Sequence, residues 1–107
     1  MIYELRIYEI PPGMMPAQHK RFAEVTMPFF AKHGIKVEWF ANPIGGEWTD
    51  RIYYLLAFDS LADRERKWAA FNADEDWQRT RDPSGRAISS RTMSVFLQPT
   101  PYSPGGA

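Results

Sequence analysis

The sequence predicts an α+β domain of the ferredoxin-like kind, and three observations carry that prediction. Four stretches alternate apolar and polar residues with period two. Two stretches at helical spacing separate the first strand from the second and the third from the fourth. The chain has 107 residues, room for a single compact core. The resulting order, βαββαβ, folds into a four-stranded antiparallel sheet with both helices on one face.

Met1 to Ile10 opens the chain as a strand rich in Ile, Leu and Tyr. Pro11-Pro12-Gly13 ends it, because proline cannot donate to a ladder and glycine permits a tight reversal. Pro16 suits the first turn of a helix, where its missing N–H costs nothing. Phe22, Val25 and Phe29 share one face of that helix, His33-Gly34 supplies the stop, and Pro28 is expected to kink or break it locally. Ile35 to Ala41 alternates again, with Ile35, Val37 and Trp39 on one side and Lys36, Glu38 and Phe40 on the other. The loop NPIGGEWTD leads into Arg51 to Phe58, the most apolar strand. Ser60 caps the second helix, with Asp63 at its third position and Leu61, Trp68 and Phe71 at helical spacing. Asp63 and Lys67, four apart, are expected on its wet face. A further helical turn is expected near Trp77, a loop at Asp82-Pro83-Ser84-Gly85, and the last strand at Arg91 to Gln98. The domain so defined covers residues 1–98, and residues 99–107 form an irregular tail rich in Pro and Gly.

Thirteen basic residues balance thirteen acidic ones, so no net field draws the chain to nucleic acid or an anionic membrane. No apolar run approaches the ~20 residues that cross a bilayer. The opening MIYELR lacks the charged-then-apolar layout of a signal peptide, which gives a cytoplasmic expectation. There is no cysteine, which removes disulfides, thiolate nucleophiles and cysteine-metal sites. Four Trp, five Tyr, seven Phe and five Met are large, adaptable surfaces suited to cores, interfaces and apolar pockets.

Period two places Glu4, Arg6 and Tyr8 together on one side of the first strand and Tyr3, Leu5 and Ile7 on the other. The more apolar set, with Val37, Trp39, Met93, Val95 and Leu97, is expected beneath the helices. Glu4, Arg6 and Tyr8 then fall on the open face with Glu38, Phe40, Ser94 and Phe96, and with Tyr53 and Leu55 or their neighbours. Such a mixed aromatic-polar face is suited to an interface or a binding groove, and a second copy would cover it. Arg6 can clamp a carboxylate, or pair with Glu4 across a dimer interface. Trp39 and Tyr54 are candidate pocket aromatics.

The phrases YELRIYEIPPG, MPFFAKHG, AFDSLADRE and QPTPYSP, in that order, resemble the NIPSNAP family over nearly the whole chain. The resemblance implies a dimeric α/β barrel, a homodimer or higher homo-oligomer whose sheets face each other. It implies cavities inside the barrel or between sheet and helices. Relatives commonly carry histidine and tryptophan where this chain has Tyr54 and Leu56, and an acidic residue at Pro43, before a loop about two residues shorter. A role resting on that histidine does not carry over.

Other residues bearing chemistry have plainer readings. His19 and His33 lie fourteen residues apart on one helix, roughly 20 Å, too far for one metal ion. His33 is expected to meet the carbonyls at the helix end. The acids of ADEDW complement a helix start. Arg79, Arg81, Arg86 and Arg91 flank a solvated loop, and Ser84, Ser89 and Ser90 lack a nucleophile elbow. Gly45-Gly46 and Gly105-Gly106 match no phosphate loop. No metal or cofactor is therefore expected. Two functions remain: a protein that binds, or converts without cofactor, a small apolar or aromatic metabolite, and an interaction or scaffolding module. A cavity of roughly 300 Å3 or more separates the first from the second.

Overall fold

The computed structural model describes residues 1–81 and 91–104. Strand β1 (Ile2–Glu9) is followed by α1 (Met15–Arg21), a π-helical turn (Phe22–Thr26) and α2 (Met27–Lys32). Then come β2 (Lys36–Ala41), β3 (Arg51–Phe58), α3 (Leu61–Ala73), α4 (Glu75–Arg79) and β4 (Arg91–Leu97). The four strands form one sheet in the order β2-β3-β1-β4, every neighbour antiparallel, with β1 central between β3 and β4. This is the ferredoxin-like α+β arrangement that the element order predicts. The expected loop at Asp82-Pro83-Ser84-Gly85, with Arg86, Ser89 and Ser90, lies outside the described residues, as does Gly105-Gly106.

The helices lie on the face opposite to the one expected. Register pairs Glu4 with Leu56, Arg6 with Tyr54 and Tyr8 with Ile52. Those partners are buried, and Ile52, Tyr54 and Leu56 belong to one core cluster with Phe22, Phe30, Ile35, Phe58, Phe71 and Trp77. Glu4, Arg6 and Tyr8 therefore point toward the helices. Tyr3, Leu5 and Ile7 occupy the open face with Ala57, Leu55 and Tyr53 from β3 and Leu97, Val95 and Met93 from β4. The reason lies in β3, whose inward residues bring enough apolar surface to build the core, while Glu4 and Arg6 of β1 pair with each other and Glu4 is met from α3 by Arg64. Trp39 also leaves its expected companion. A bulge at Glu38 breaks the alternation of β2, so Val37 and Phe40 turn inward while Trp39 turns outward opposite Leu55, 45% exposed.

The first helical run answers to Pro28 as expected, by a local break. The Met27 N–H reaches back five residues to the Phe22 carbonyl, a π-type bond, and α2 restarts with Pro28 in its first turn. The turn also carries Phe22 into contact with Tyr8, Phe40 and Tyr54, with ring centroids 5.5, 4.9 and 5.4 Å away. Ser60 caps α3 as expected, accepting from the Asp63 N–H at 3.0 Å. Asp63 does not lie on the wet face: it is buried, accepting from the Asp59 N–H and from Lys67 Nζ, each at 3.0 Å. Asp74 caps α4 through the N–H groups of Asp76 and Trp77. His33 serves its helix end through its backbone N–H, which donates to the Phe29 carbonyl at 3.2 Å, while its side chain turns to Asp74. Its Nε2 lies 2.7 Å from Asp74 Oδ2, which also meets Lys32 Nζ at 2.7 Å. Tyr102 in the tail is exposed.

Candidate functional site

Between sheet and helices, at the α3 side of β1, the core is ionic. Glu4 has no exposure to solvent. Its Oε1 accepts from Arg64 Nε at 3.1 Å and from Trp68 Nε1 at 3.2 Å. Its Oε2 accepts from Arg6 Nη1 at 2.9 Å, Ser94 Oγ at 3.1 Å and Arg64 Nη2 at 3.3 Å. A buried carboxylate is tolerable only when its lone pairs are met in this way. Burial pushes the Glu4 pKa up, but the bonds from Arg64 and Arg6 outweigh it and hold the carboxyl below its ordinary value.

Arg6 is the hub of a second set of bonds. Its Nε donates to Tyr54 Oη at 2.7 Å, its Nη2 to Tyr8 Oη at 3.3 Å, and its Nη1 also to Ser94 Oγ at 3.3 Å. Its guanidinium carbon stands 4.7 Å from the centre of the Trp68 ring. Burial opposes the charge on Arg6, yet Tyr54, Tyr8 and Glu4 outweigh that opposition and raise its pKa. Tyr54, wholly buried, donates to Tyr8 Oη at 2.9 Å. Burial, and then Tyr8, push its phenol well above the usual value, against the pull of Arg6. At neutral pH this places an ionised Glu4, a protonated Arg6 and a neutral Tyr54 side by side. Groups in these states can polarise a neighbour, and none is poised to exchange a proton near neutrality.

The cluster reaches solvent through an open cleft of about 330 Å3 lined by Arg6, Arg64, Glu65, Trp68, Ala69 and Asn72. Arg64 forms its mouth, with Nε and Nη2 turned inward to Glu4 and Nη1 turned outward to Glu65 Oε1 at 2.7 Å. Among the described residues, no group of three or more His, Asp or Glu is placed to hold a metal ion, and no helix is long and apolar enough to cross a membrane.

A sequence model of the NIPSNAP family matches residues 3–104. The chain belongs to the NIPSNAP family. Solved structures agree in fold. A NIPSNAP family protein of unknown function from Agrobacterium tumefaciens is 26% identical with a TM-score of 0.86, the match covering 97% of this chain and 92% of that one. An uncharacterized NIPSNAP domain protein from Burkholderia xenovorans is 22% identical with a TM-score of 0.85, covering 97% and 99%. The haem-degrader MhuD of Mycobacterium tuberculosis, solved with two haems in its active site, is 15% identical with a TM-score of 0.61, covering 92% and 94%. That last likeness extends to the fold alone. No curated protein matches the sequence.

Of the residues singled out from sequence, this NIPSNAP chain brings Glu4, Arg6, Tyr8 and Tyr54 together. Trp39 stands apart on the open face. Tyr54 is a full member of the cluster, whereas Leu56 opposite Glu4 is plain core. Sequence reasoning missed Arg64 and Trp68 as partners of Glu4. Their signal was present: Arg64, Trp68 and Phe71 fall at i, i+4 and i+7, so a cation stands in the apolar stripe of α3. Leu61, expected as part of that stripe, is exposed instead.

Proposed function

We propose that this NIPSNAP chain works as a homodimer that binds a small aromatic or apolar metabolite in the cleft beneath α3. The observation that carries this reading is the ionic cluster at the base of the cleft. A fold needs no buried Glu4 flanked by two guanidiniums, and apolar residues of similar size would serve stability as well. Polar groups converging on a concavity are the mark of ligand sites, and the cleft exceeds the roughly 300 Å3 at which such sites begin. The protonation states of Glu4, Arg6 and Tyr54 favour binding and polarisation over acid-base catalysis. Cofactor-free conversion would then depend on charge stabilisation by Arg6 rather than on a base within the cluster.

The test is a screen of small neutral and acidic aromatic compounds by amide chemical-shift perturbation on the whole chain. Binders should move the signals of residues 64–72. Ala69 is exposed and lines the cleft, so Ala69→Trp fills that space without entering the core. The variant should keep its fold and lose the perturbations. Binders that leave residues 64–72 unmoved, or that ignore Ala69→Trp, would place any ligand elsewhere and end this reading.

A further inference from the structure

We infer that the cleft takes its ligand through a single acidic group, a carboxylate on an aromatic or apolar body, with Arg64 as the receiving cation and Glu65 as an internal competitor which that acid displaces. The inference rests on the cleft being a ligand site and names what enters it.

The geometry around the two guanidiniums differs. Arg6 is walled in, each nitrogen donating to Glu4, Ser94, Tyr8 or Tyr54. Arg64 stands over the Phe96 ring, 5.2 Å from its centre, and 5.7 Å from that of Trp68, with one nitrogen facing away from Glu4. Its Nε and Nη2 reach the buried Glu4 at 3.1 and 3.3 Å, while its Nη1 turns outward and, among the described residues, hydrogen-bonds to Glu65. Glu65 is the neighbouring residue on α3 and its side chain is 71% exposed, so this pair is a surface ion pair of little net strength. A carboxylate arriving from solvent meets the outward Nη1 and the Nη2 whose inner bond is already long, the forked edge that carboxylates fit. Glu65 needs only a rotamer change to give way.

Charge decides the class of acid. With Glu65 turned aside, the wall presents Arg6 and Arg64 against Glu4 alone, an excess of one positive charge. A monoanion neutralises that excess, whereas a phosphate dianion overshoots it next to Glu4. The rest of the lining is Trp68, Ala69 and Asn72, one aromatic ring and one methyl for a flat body to lie against and an amide that can hydrogen-bond it.

Calorimetry on the whole chain with 2-naphthoate and its neutral counterpart 2-naphthalenemethanol tests this. The acid should bind at least tenfold more tightly than the alcohol. Glu65→Gln removes the competitor and should tighten naphthoate about threefold, while leaving the alcohol unchanged. Arg64→Gln should erase the preference for the acid. Because Arg64 also neutralises Glu4, the surface variant Glu65→Gln decides between the outcomes if Arg64→Gln unfolds. Equal binding of both probes, unaltered by Glu65→Gln, overturns the acidic-group inference and leaves the cleft reading standing. Failure of both probes to bind wild type and Glu65→Gln at millimolar concentration overturns the two together.

Discussion

At the scale of single residues, Glu4 governs the site because it is the anion between two cations. Glu4→Gln keeps its shape and leaves Arg6 and Arg64 facing each other. Breaking a wholly buried pair costs roughly 3–5 kcal/mol, and both arginines keep some contact with water, so a loss of about 2 kcal/mol is expected in urea titrations. The folded pKa of Glu4 is depressed, so its stabilisation is complete above the ordinary glutamate value of about 4.3 and is lost as pH falls through the folded value. Glu4→Gln should therefore flatten the acid limb of the stability profile; an unchanged limb would show that the cluster is not held by charge. Arg6→Met, which keeps bulk and removes charge, should weaken acidic ligands without altering subunit association, because Arg6 lies under the helices and away from the open face. The grouping of Glu4, Arg6 and Tyr8 was legible, since period two is a property of the strand itself. Which side the helices take was not, since that depends on β3 and α3 and on whether charges find partners across the chain.

At the scale of elements, local chemistry was the readable part. The Ser60 cap, the break at Pro28 and the Asp74 cap all follow from a few neighbouring residues. Ser60→Ala should cost about 1 kcal/mol in urea titrations, through the lost bond to the Asp63 N–H. The bulge at Glu38 and the partnership of His33 with Asp74 were not readable. One depends on registration against β3, and the other joins residues 41 apart in sequence. Asp74 therefore does two jobs, capping α4 and tying it to the end of α2 through Lys32 and His33. Lys32 first, and then His33, hold its carboxyl well below the usual aspartate range. Asp74→Asn preserves a good cap and removes the charge. The variant should melt below wild type at neutral pH. The gap should close as pH falls below about 3.9, where wild type begins to lose the same interaction. A gap that is constant with pH would mean that the cap alone matters.

At the scale of the whole molecule, the shape is flat, 45 × 38 × 19 Å, the thickness of a sheet with one layer of helices on it. The uncovered face is the more apolar one. Trp39, Val95 and Leu97 are 45%, 44% and 44% exposed there, and Tyr3, Leu5, Ile7, Tyr53, Leu55 and Met93 remain half-buried around them. A contiguous apolar sheet face of this kind seldom stays wet, and a second copy would cover it with a self-complementary surface about a two-fold axis. The sheet-to-sheet homodimer expected from sequence is retained as a proposal with its contact residues exchanged: Leu5 and its neighbours take the place of Glu4, Arg6 and Tyr8. Leu5 lies mid-face, flanked by Leu55 and Val95. In a monomer Leu5→Lys should change stability little, because the ammonium reaches water from a half-buried position. In the dimer it buries an unpaired charge on a desolvated face, which should weaken association at least tenfold. Sedimentation at micromolar concentration should show twice the chain mass for wild type and for Arg6→Met, and the chain mass for Leu5→Lys with its circular dichroism intact. A wild-type monomer at that concentration would leave the apolar face without its proposed partner, and a dimeric Leu5→Lys would place the interface elsewhere on the molecule.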